Sequence, residues 1–187
     1  MKYIILMGKS AVGKDTILKE IVRTKKANPL ISHTTRPIRV GEKNGVEYKF
    51  CDNEVFESMI AKNQLVEYRK YNIIIDGNMK LYYYGIKKDS TRRRKDVVVI
   101  LDVQGTKDFI NYYGKDNCEV YLIKTKDKIR KQRCIERGDF NQYEWNRRKI
   151  ADRKDFSRRK LKSLDFKVVK NNNGDVETIV SKILKGE

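Results

Sequence analysis

The feature that most restricts how this 187-residue chain can fold is a glycine-framed heptapeptide near its start, Gly8-Lys9-Ser10-Ala11-Val12-Gly13-Lys14. It fits the pattern G-x-x-x-x-G-K, and its flanks suit the pattern's mechanism. Before it, Tyr3-Ile4-Ile5-Leu6-Met7 is a continuous apolar run of the kind expected of a strand buried on both faces. After it, Ile17, Leu18, Ile21 and Val22 recur at a spacing that places one apolar stripe on a helix. In a strand, glycine loop and helix so arranged, backbone N–H groups and the positive helix end converge on the β- and γ-phosphates of a nucleotide. The glycines let the main chain approach, and Lys14 can follow the charge as a γ-phosphoryl group moves. Residues Gly8, Lys9, Ser10, Ala11, Val12, Gly13, Lys14, Asp15 and Thr16 are therefore the expected triphosphate-binding set. The loop position predicts a Lys14 ammonium that stays solvated until phosphate arrives. Asp15 stands where a Ser or Thr hydroxyl usually meets Mg²⁺, so its carboxylate, with Thr16 beside it, is expected to hold the ion directly or through water.

The remaining periodicities predict a parallel α/β sheet. Val97 to Leu101 reads as a second fully buried strand, and Glu119 to Lys124 and Phe166 to Lys170 as two more, separated by helical segments. Between the first helix and Val97 lies a more polar insert. There Val46 to Phe50 and Leu65 to Tyr71 are expected as short strands, around a helix carrying Val55, Phe56, Met59 and Ile60 and capped by Asp52 or Asn53. From Lys126 to Leu164 the pattern is helical but strongly charged, broken at Gly138-Asp139, and Val176 to Leu184 closes as an amphipathic helix.

Composition narrows the function classes. With 39% hydrophobic residues, 2 Pro and 11 Gly, the chain is neither collagen-like nor of low complexity, and its length suits one core. The 3 cysteines show no Cys-x-x-Cys spacing, which indicates neither a disulfide framework nor a zinc site. His33 is the sole histidine, so a histidine-based triad or metal site is excluded, and the residue is expected to be a neutral side chain. Tyr3 to Met7 is too short for a membrane span or signal-peptide core, and a cytoplasmic location without membrane partners is expected. The formal net charge of +18 demands a phosphorylated or polyanionic partner; residues 126 to 162 hold 15 Lys or Arg against 6 Asp or Glu. The run Arg92-Arg93-Arg94-Lys95 reads as a solvated turn, and nucleic acid is not the expected partner.

A second motif is more specific: Ser32-His33-Thr34-Thr35-Arg36-Pro37-Ile38-Arg39, then Gly41-Glu42 and Gly45-x-x-Tyr48. Two arginines three apart beside a tyrosine hydroxyl can supply multidentate, charge-assisted bonds to a phosphate. With the phosphate loop ahead of it, this pattern resembles the guanylate kinase family, and the likeness runs over essentially the whole chain. The resemblance implies a P-loop three-layer α/β sandwich with a core of residues 1–31, 90–125 and 151–187. A GMP-binding insert would occupy 32–89 and a mobile helical lid 126–150. It implies that Ser32 and Glu67 read guanine, and that Arg36, Arg39, Tyr48 and Tyr84 hold the phosphate of GMP. Asp102, in Asp102-Val103-Gln104-Gly105, would orient Mg²⁺, water or the acceptor. Arg133 and Arg137 would be lid arginines, Arg148 a later one reaching the transferring phosphates, and Asn171 a neighbour of the adenine of ATP. The implied reaction is Mg²⁺-assisted transfer from ATP to GMP, or to dGMP, by a monomer or dimer.

Three departures from the family pattern bear on the acceptor. Ile86 stands where the family has a Ser or Thr that helps read guanine, and Ile100 replaces an acidic residue. The segment between Glu67 and Gly85 is longer than the family's, with Ile73 to Asn78 reading as a hairpin extension around an Asp-Gly turn. They leave open a kinase of another nucleotide or of a polynucleotide end. A non-catalytic phosphopeptide-binding module on the same scaffold is the other alternative, opposed by the intact Gly13-Lys14 and the lid arginines.

Overall fold

The computed structural model describes residues 1–187 except 39–40, 76–77, 89–94 and 139, with side chains left undescribed at 73–78. In chain order the elements are β1 (Tyr3–Met7), α1 (Lys14–Arg23), β2 (Ala27–Pro29), β3 (His33–Thr34), β4 (Lys49–Phe50), α2 (Asn53–Ala61), β5 (Leu65–Ile75) and β6 (Asn78–Lys87). They continue with β7 (Asp96–Ile100), α3 (Val103–Tyr113), a single 3-10 turn (Lys115–Asn117), β8 (Cys118–Lys124), α4 (Asp127–Glu136), α5 (Gln142–Asp155), α6 (Arg158–Leu161), β9 (Lys167–Lys170) and α7 (Val176–Lys185). The chain divides into two compact units, one formed by Met1–Pro29 with Arg93–Glu187 and the other by Leu30–Arg92.

The first unit is an α/β sandwich around a five-stranded parallel sheet, ordered β2-β7-β1-β8-β9. Strand β1 is central, and all five of its residues are buried. Alternate side chains explain why the run is continuously apolar: Ile4 and Leu6 join Ile17 and Ile21 of α1 and Ile179, Val180 and Ile183 of α7 in one cluster. On the opposite face the Tyr3 ring meets Phe109 of α3 edge-on, with centroids 5.2 Å apart. Helices thus cover both faces, giving three layers, and the loop after β1 emerges at the carboxyl end of the central strand, where open α/β sheets bind ligands. Strand β2, absent from the sequence reading, is three residues long, too short to carry a periodic signal.

The second unit is a four-stranded sheet ordered β4-β3-β6-β5, with α2 packed through Phe56 and Met59 against Leu65 and Tyr83. Two expectations are corrected here. The strand expected from Val46 shrinks to Lys49–Phe50, because a turn closes ahead of it: the Gly45 N–H donates to the Tyr48 carbonyl at 2.8 Å and the Val46 N–H to the Lys43 carbonyl at 3.1 Å. Asp52 occupies the N-cap position of α2, yet its side chain makes no capping hydrogen bond. The hairpin extension is present as β5 and β6, paired from Leu65 opposite Lys87 out to Ile75 opposite Asn78; Asp76-Gly77 itself lies outside the described residues. Arg92 to Arg94 and Asp139 lie outside them as well. Among the described residues no helix is long and apolar enough to cross a membrane.

Phe109 tests the layer account. Its ring is fully buried between Tyr3 and Tyr113, at centroid distances of 5.2 and 4.6 Å. Truncation leaves a cavity beneath the central strand, so Phe109→Ala should lower unfolding stability by about 3–5 kcal/mol in urea titrations, without changing the slope of the transition.

Candidate active site

The phosphate loop is shaped by carbonyls turned away from its mouth. The Val12 carbonyl accepts from Asn171 Nδ2 at 2.9 Å, Arg133 Nη1 at 3.1 Å and Thr125 Oγ1 at 3.2 Å. With that oxygen satisfied outside, the loop is free to present N–H groups inward. The first α-helical bond of α1 runs from the Ile17 N–H to the Gly13 carbonyl, so the N–H groups of the first turn keep no partner within the helix. They lie at the positive end of the helix dipole. Gly13 is required at its position: φ is +96°, and a Cβ there would lie 2.5 Å from Asn171 Nδ2. Ala11 adopts φ +59°, a left-handed conformation that costs an L-residue about 1–2 kcal/mol.

Lys14 departs from the expected solvated state. Its ammonium donates to the carbonyls of Gly8 at 2.8 Å and Lys9 at 3.1 Å. Burial lowers its pKa below the ordinary lysine value, a shift opposed by the charges of Asp15 and Asp152 and aided by that of Arg130. Asp15 and Thr16 are both exposed at the start of α1.

Arg133 and Asn171, assigned by resemblance to the lid and to adenine, are packed against the loop. Arg133 Nη2 donates to the Asn171 carbonyl at 3.2 Å, and Asn171 is only 2% exposed. Arg137 and Arg148 line one crevice with Cys134, Phe140, Asn141, Glu144 and Trp145, and Arg148 Nε donates to Glu144 at 2.6 Å. Asp102 is the N-cap of α3, accepting the Gly105 N–H on Oδ1 at 2.6 Å.

Two residues escaped the sequence reading. Arg130 of α4 and Asp152 of α5 form a buried ion pair against Ser10 of the loop. Both sit in the charged 126–162 stretch, where nothing in a run of alternating lysines, arginines and acids separates a buried pair from a solvated one.

The residues expected to bind GMP belong to the second unit. Arg36 is 6% exposed; its terminal nitrogens donate to both oxygens of Glu42 at 2.7 and 2.6 Å, and its guanidinium lies 5.0 Å from the Tyr48 ring centroid. Tyr48 and Tyr84 rings stand 5.9 Å apart. Glu42 thus engages Arg36 with the bidentate geometry that a phosphate also uses. Arg39 lies outside the described residues. Ser32 contributes its carbonyl to the Lys49 N–H at 2.8 Å. Glu67 is 8% exposed, and a β-bulge determines where it points. Leu65 pairs with Lys87, whereas Glu67 pairs with Ile86, so the extra residue on β5 turns Glu67 off the apolar face where Leu65 meets Phe56. Ile86, fully buried, is its cross-strand partner. His33 is held neutral: burial, with Lys49 and Lys87 nearby, pushes its pKa down to about 4.

Fold and loop together define a P-loop α/β protein. The family model "Guanylate kinase" matches residues 1–185, and the chain belongs to the guanylate kinase family. The guanylate kinase of Prochlorococcus marinus subsp. pastoris is 30% identical over 189 residues, 98% of this chain and 95% of that protein. The Bacillus subtilis guanylate kinase is 36% identical over 141 residues, covering 72% of this chain and 65% of the relative. The match to the Clostridium tetani guanylate kinase, 33% identical over 139 residues and 72% of this chain, spans 62% of that relative, a little under two thirds of its length. Among solved structures, the fold is similar to that of guanylate kinase from Anaplasma phagocytophilum, with a TM-score of 0.64 at 18% identity over 98% of this chain and 82% of the other. A gluconokinase from Sinorhizobium meliloti 1021 is also similar, with a TM-score of 0.52 at 13% identity over 99% and 90%.

The depressed Lys14 pKa carries a signed expectation. A lysine whose folded pKa lies below the unfolded value binds fewer protons when folded, so stability rises with pH between the two. Relative to Lys14→Met, the wild-type Tm should therefore increase as pH rises toward the ordinary lysine pKa of about 10.4, as the desolvation cost is relieved. A constant difference between the two melting curves over that range would refute the burial of this charge.

Proposed function

We propose that the protein transfers the γ-phosphoryl group of ATP to GMP, and also to dGMP, giving ADP and the nucleoside diphosphate. The observation that carries this reading is Glu67, a carboxylate 8% exposed in the insert of a guanylate kinase family chain. The same unit carries the cluster of Arg36, Tyr48 and Tyr84. Guanine offers N1–H and an exocyclic amine side by side, so one carboxylate accepts both bonds. Adenine presents a lone pair at N1 and no amine at C2, so it returns neither bond to the carboxylate, which Arg69 approaches at 3.9 Å. In this reading Ser32 assists at the base, and Arg36, Arg39, Tyr48 and Tyr84 hold the acceptor phosphate, Arg36 exchanging Glu42 for it.

Phosphoryl transfer asks the protein for alignment, charge neutralisation and exclusion of water. Apart from that of Ser10, which donates to Asp152, the N–H groups from Gly8 to Thr16 hold the β- and γ-phosphates. Lys14 exchanges its carbonyl partners for phosphate oxygen and moves with the charge. Arg133, Arg137 and Arg148 share the charge developing on the transferring group, and Asp102 orients the acceptor or water with the oxygen that does not cap α3. Asn171 supports the loop and borders the adenine end. In this reading the acceptor belongs to the insert of residues 32–89, and the helical lid is 126–150 beside a core of 1–31, 90–125 and 151–187. The exposed carboxylate of Asp15 and hydroxyl of Thr16 form a hard-oxygen donor set that fits Mg²⁺ bound chiefly by ATP and water. When bound, the ion would supply charge neutralisation on the phosphates. The working state is a monomer or dimer acting on free nucleotides in the cytoplasm.

The test is kcat/KM for GMP, dGMP, AMP, CMP and UMP in an ADP-release assay at moderate salt. A site built on paired donors rejects an analogue lacking them by about 10⁴-fold, an apolar slot by only about 10–200-fold. With buried Ile86 opposite Glu67, the GMP over AMP ratio should fall between these limits. Glu67→Ala should depress GMP turnover far more than AMP turnover. Equal wild-type use of AMP and GMP would remove GMP as the acceptor, and a mutant with unchanged preference would remove Glu67 as the residue that reads it. Loss of most of kcat in Lys14→Ala is the companion expectation, and an active variant would remove the loop from the mechanism.

A further inference from the structure

One residue of the phosphate loop, Ser10, is gripped through both its N–H and its carbonyl by a single buried ion pair. The Ser10 N–H donates to both carboxylate oxygens of Asp152 at 3.2 Å, and the Ser10 hydroxyl donates to Oδ1 at 3.4 Å. The Ser10 carbonyl accepts Nε of Arg130 at 2.7 Å. Arg130 in turn donates through Nη2 to Asp152 and through Nη1 to Asp127, the latter at 2.8 Å, and its guanidinium lies 5.4 Å from the Trp145 ring centroid. The Arg130 side chain is 1% exposed and that of Asp152 10%. The next residue, Ala11, is the loop's one non-glycine in the left-handed region, at φ +59°.

A buried ion pair is a poor stability device, since a well-packed apolar pair of similar volume is often as stable or more so. What an apolar pair lacks is hydrogen bonding to the Ser10 backbone N–H and carbonyl. We propose that Arg130 and Asp152 are positioning residues for ATP: by fixing the Ser10 N–H and carbonyl together, they hold Ala11 in its left-handed conformation and keep the following N–H groups aimed at the phosphates. A glycine at position 11 would adopt this conformation unaided; the clamp does the same for alanine. Because Arg130 neutralises it, Asp152 sits at the loop without repelling a triphosphate. This inference rests on the reading of the loop as the ATP site, but not on the identity of the acceptor.

The experiment is a coupling between the clamp and residue 11, read by calorimetric titration of a non-hydrolysable ATP analogue with Mg²⁺ and by thermal melting. Arg130→Leu with Asp152→Ala removes both charges together, so the fold and Tm should stay close to wild type while the analogue binds roughly 10-fold more weakly. Adding Ala11→Gly to that variant should recover most of the affinity, a gain several-fold larger than the same substitution gives with the clamp intact. Unchanged affinity in the double variant, or a loss that glycine does not recover, overturns the proposal. Should the double variant not fold, Asp152→Asn with and without Ala11→Gly reads the same coupling, and a binding loss insensitive to glycine overturns it equally. A wild type that fails to bind the analogue overturns the ATP reading itself, an outcome distinct from binding that ignores the clamp.

Discussion

Everything the first unit offers a nucleotide depends on where the backbone of one loop sends its carbonyls. A buried peptide oxygen must be satisfied, and a loop that binds phosphate has to satisfy it away from the ligand. Val12 meets this demand with three donors, from Asn171, Arg133 and Thr125, residues that follow β9, lie on α4 and follow β8. The sheet order places β8 beside β1 and β9 beside β8, so the parallel pairing that buries the apolar strands also delivers these donors to the loop. Packing and ligand binding are therefore one geometric problem in this unit.

The cations available for phosphate are not idle in the structure. Lys14 bonds to two loop carbonyls, Arg36 to Glu42, and Arg130 to Asp152 and the Ser10 carbonyl. An unpaired charge in such surroundings is expensive: removing one partner of a buried pair typically costs about 3–5 kcal/mol. Carboxylates and carbonyls accordingly hold these groups in place. The net charge of +18 is thus a poor guide to the site, because the functional cations are among those most closely matched by local acceptors.

In the second unit the decisive feature is a one-residue irregularity. Strict alternation along β5 would put Glu67 on the face of Leu65, in the apolar cluster of Phe56, Met59 and Tyr83. The bulge between Leu65 and Glu67 rotates it to the face of Ile86 and leaves the apolar contacts with α2 intact.

Much of the core was legible in the sequence because its signals are local. Tyr3–Met7 is a strand within the limits its apolar run indicates, α1 follows the loop, and the chain ends in α7, since burial on both faces or on one stripe writes directly into composition. The G-x-x-x-x-G-K loop was legible for the same reason: glycine is needed where a Cβ would strike Asn171. Other features were not local. β2 is too short to have a period, and the turn ahead of β4 overrode an apolar stretch through its own hydrogen bonds. The partly buried state of Lys14 and the clamp of Arg130 on Asp152 depend on residues up to 142 positions away, brought together by helices whose sequences read as uniformly charged. Residue type and spacing chose the fold and the chemistry available to it. Which charges are desolvated, and what each one is paired with, only the tertiary structure decided, because solvation is a property of the packed surroundings and not of the residue.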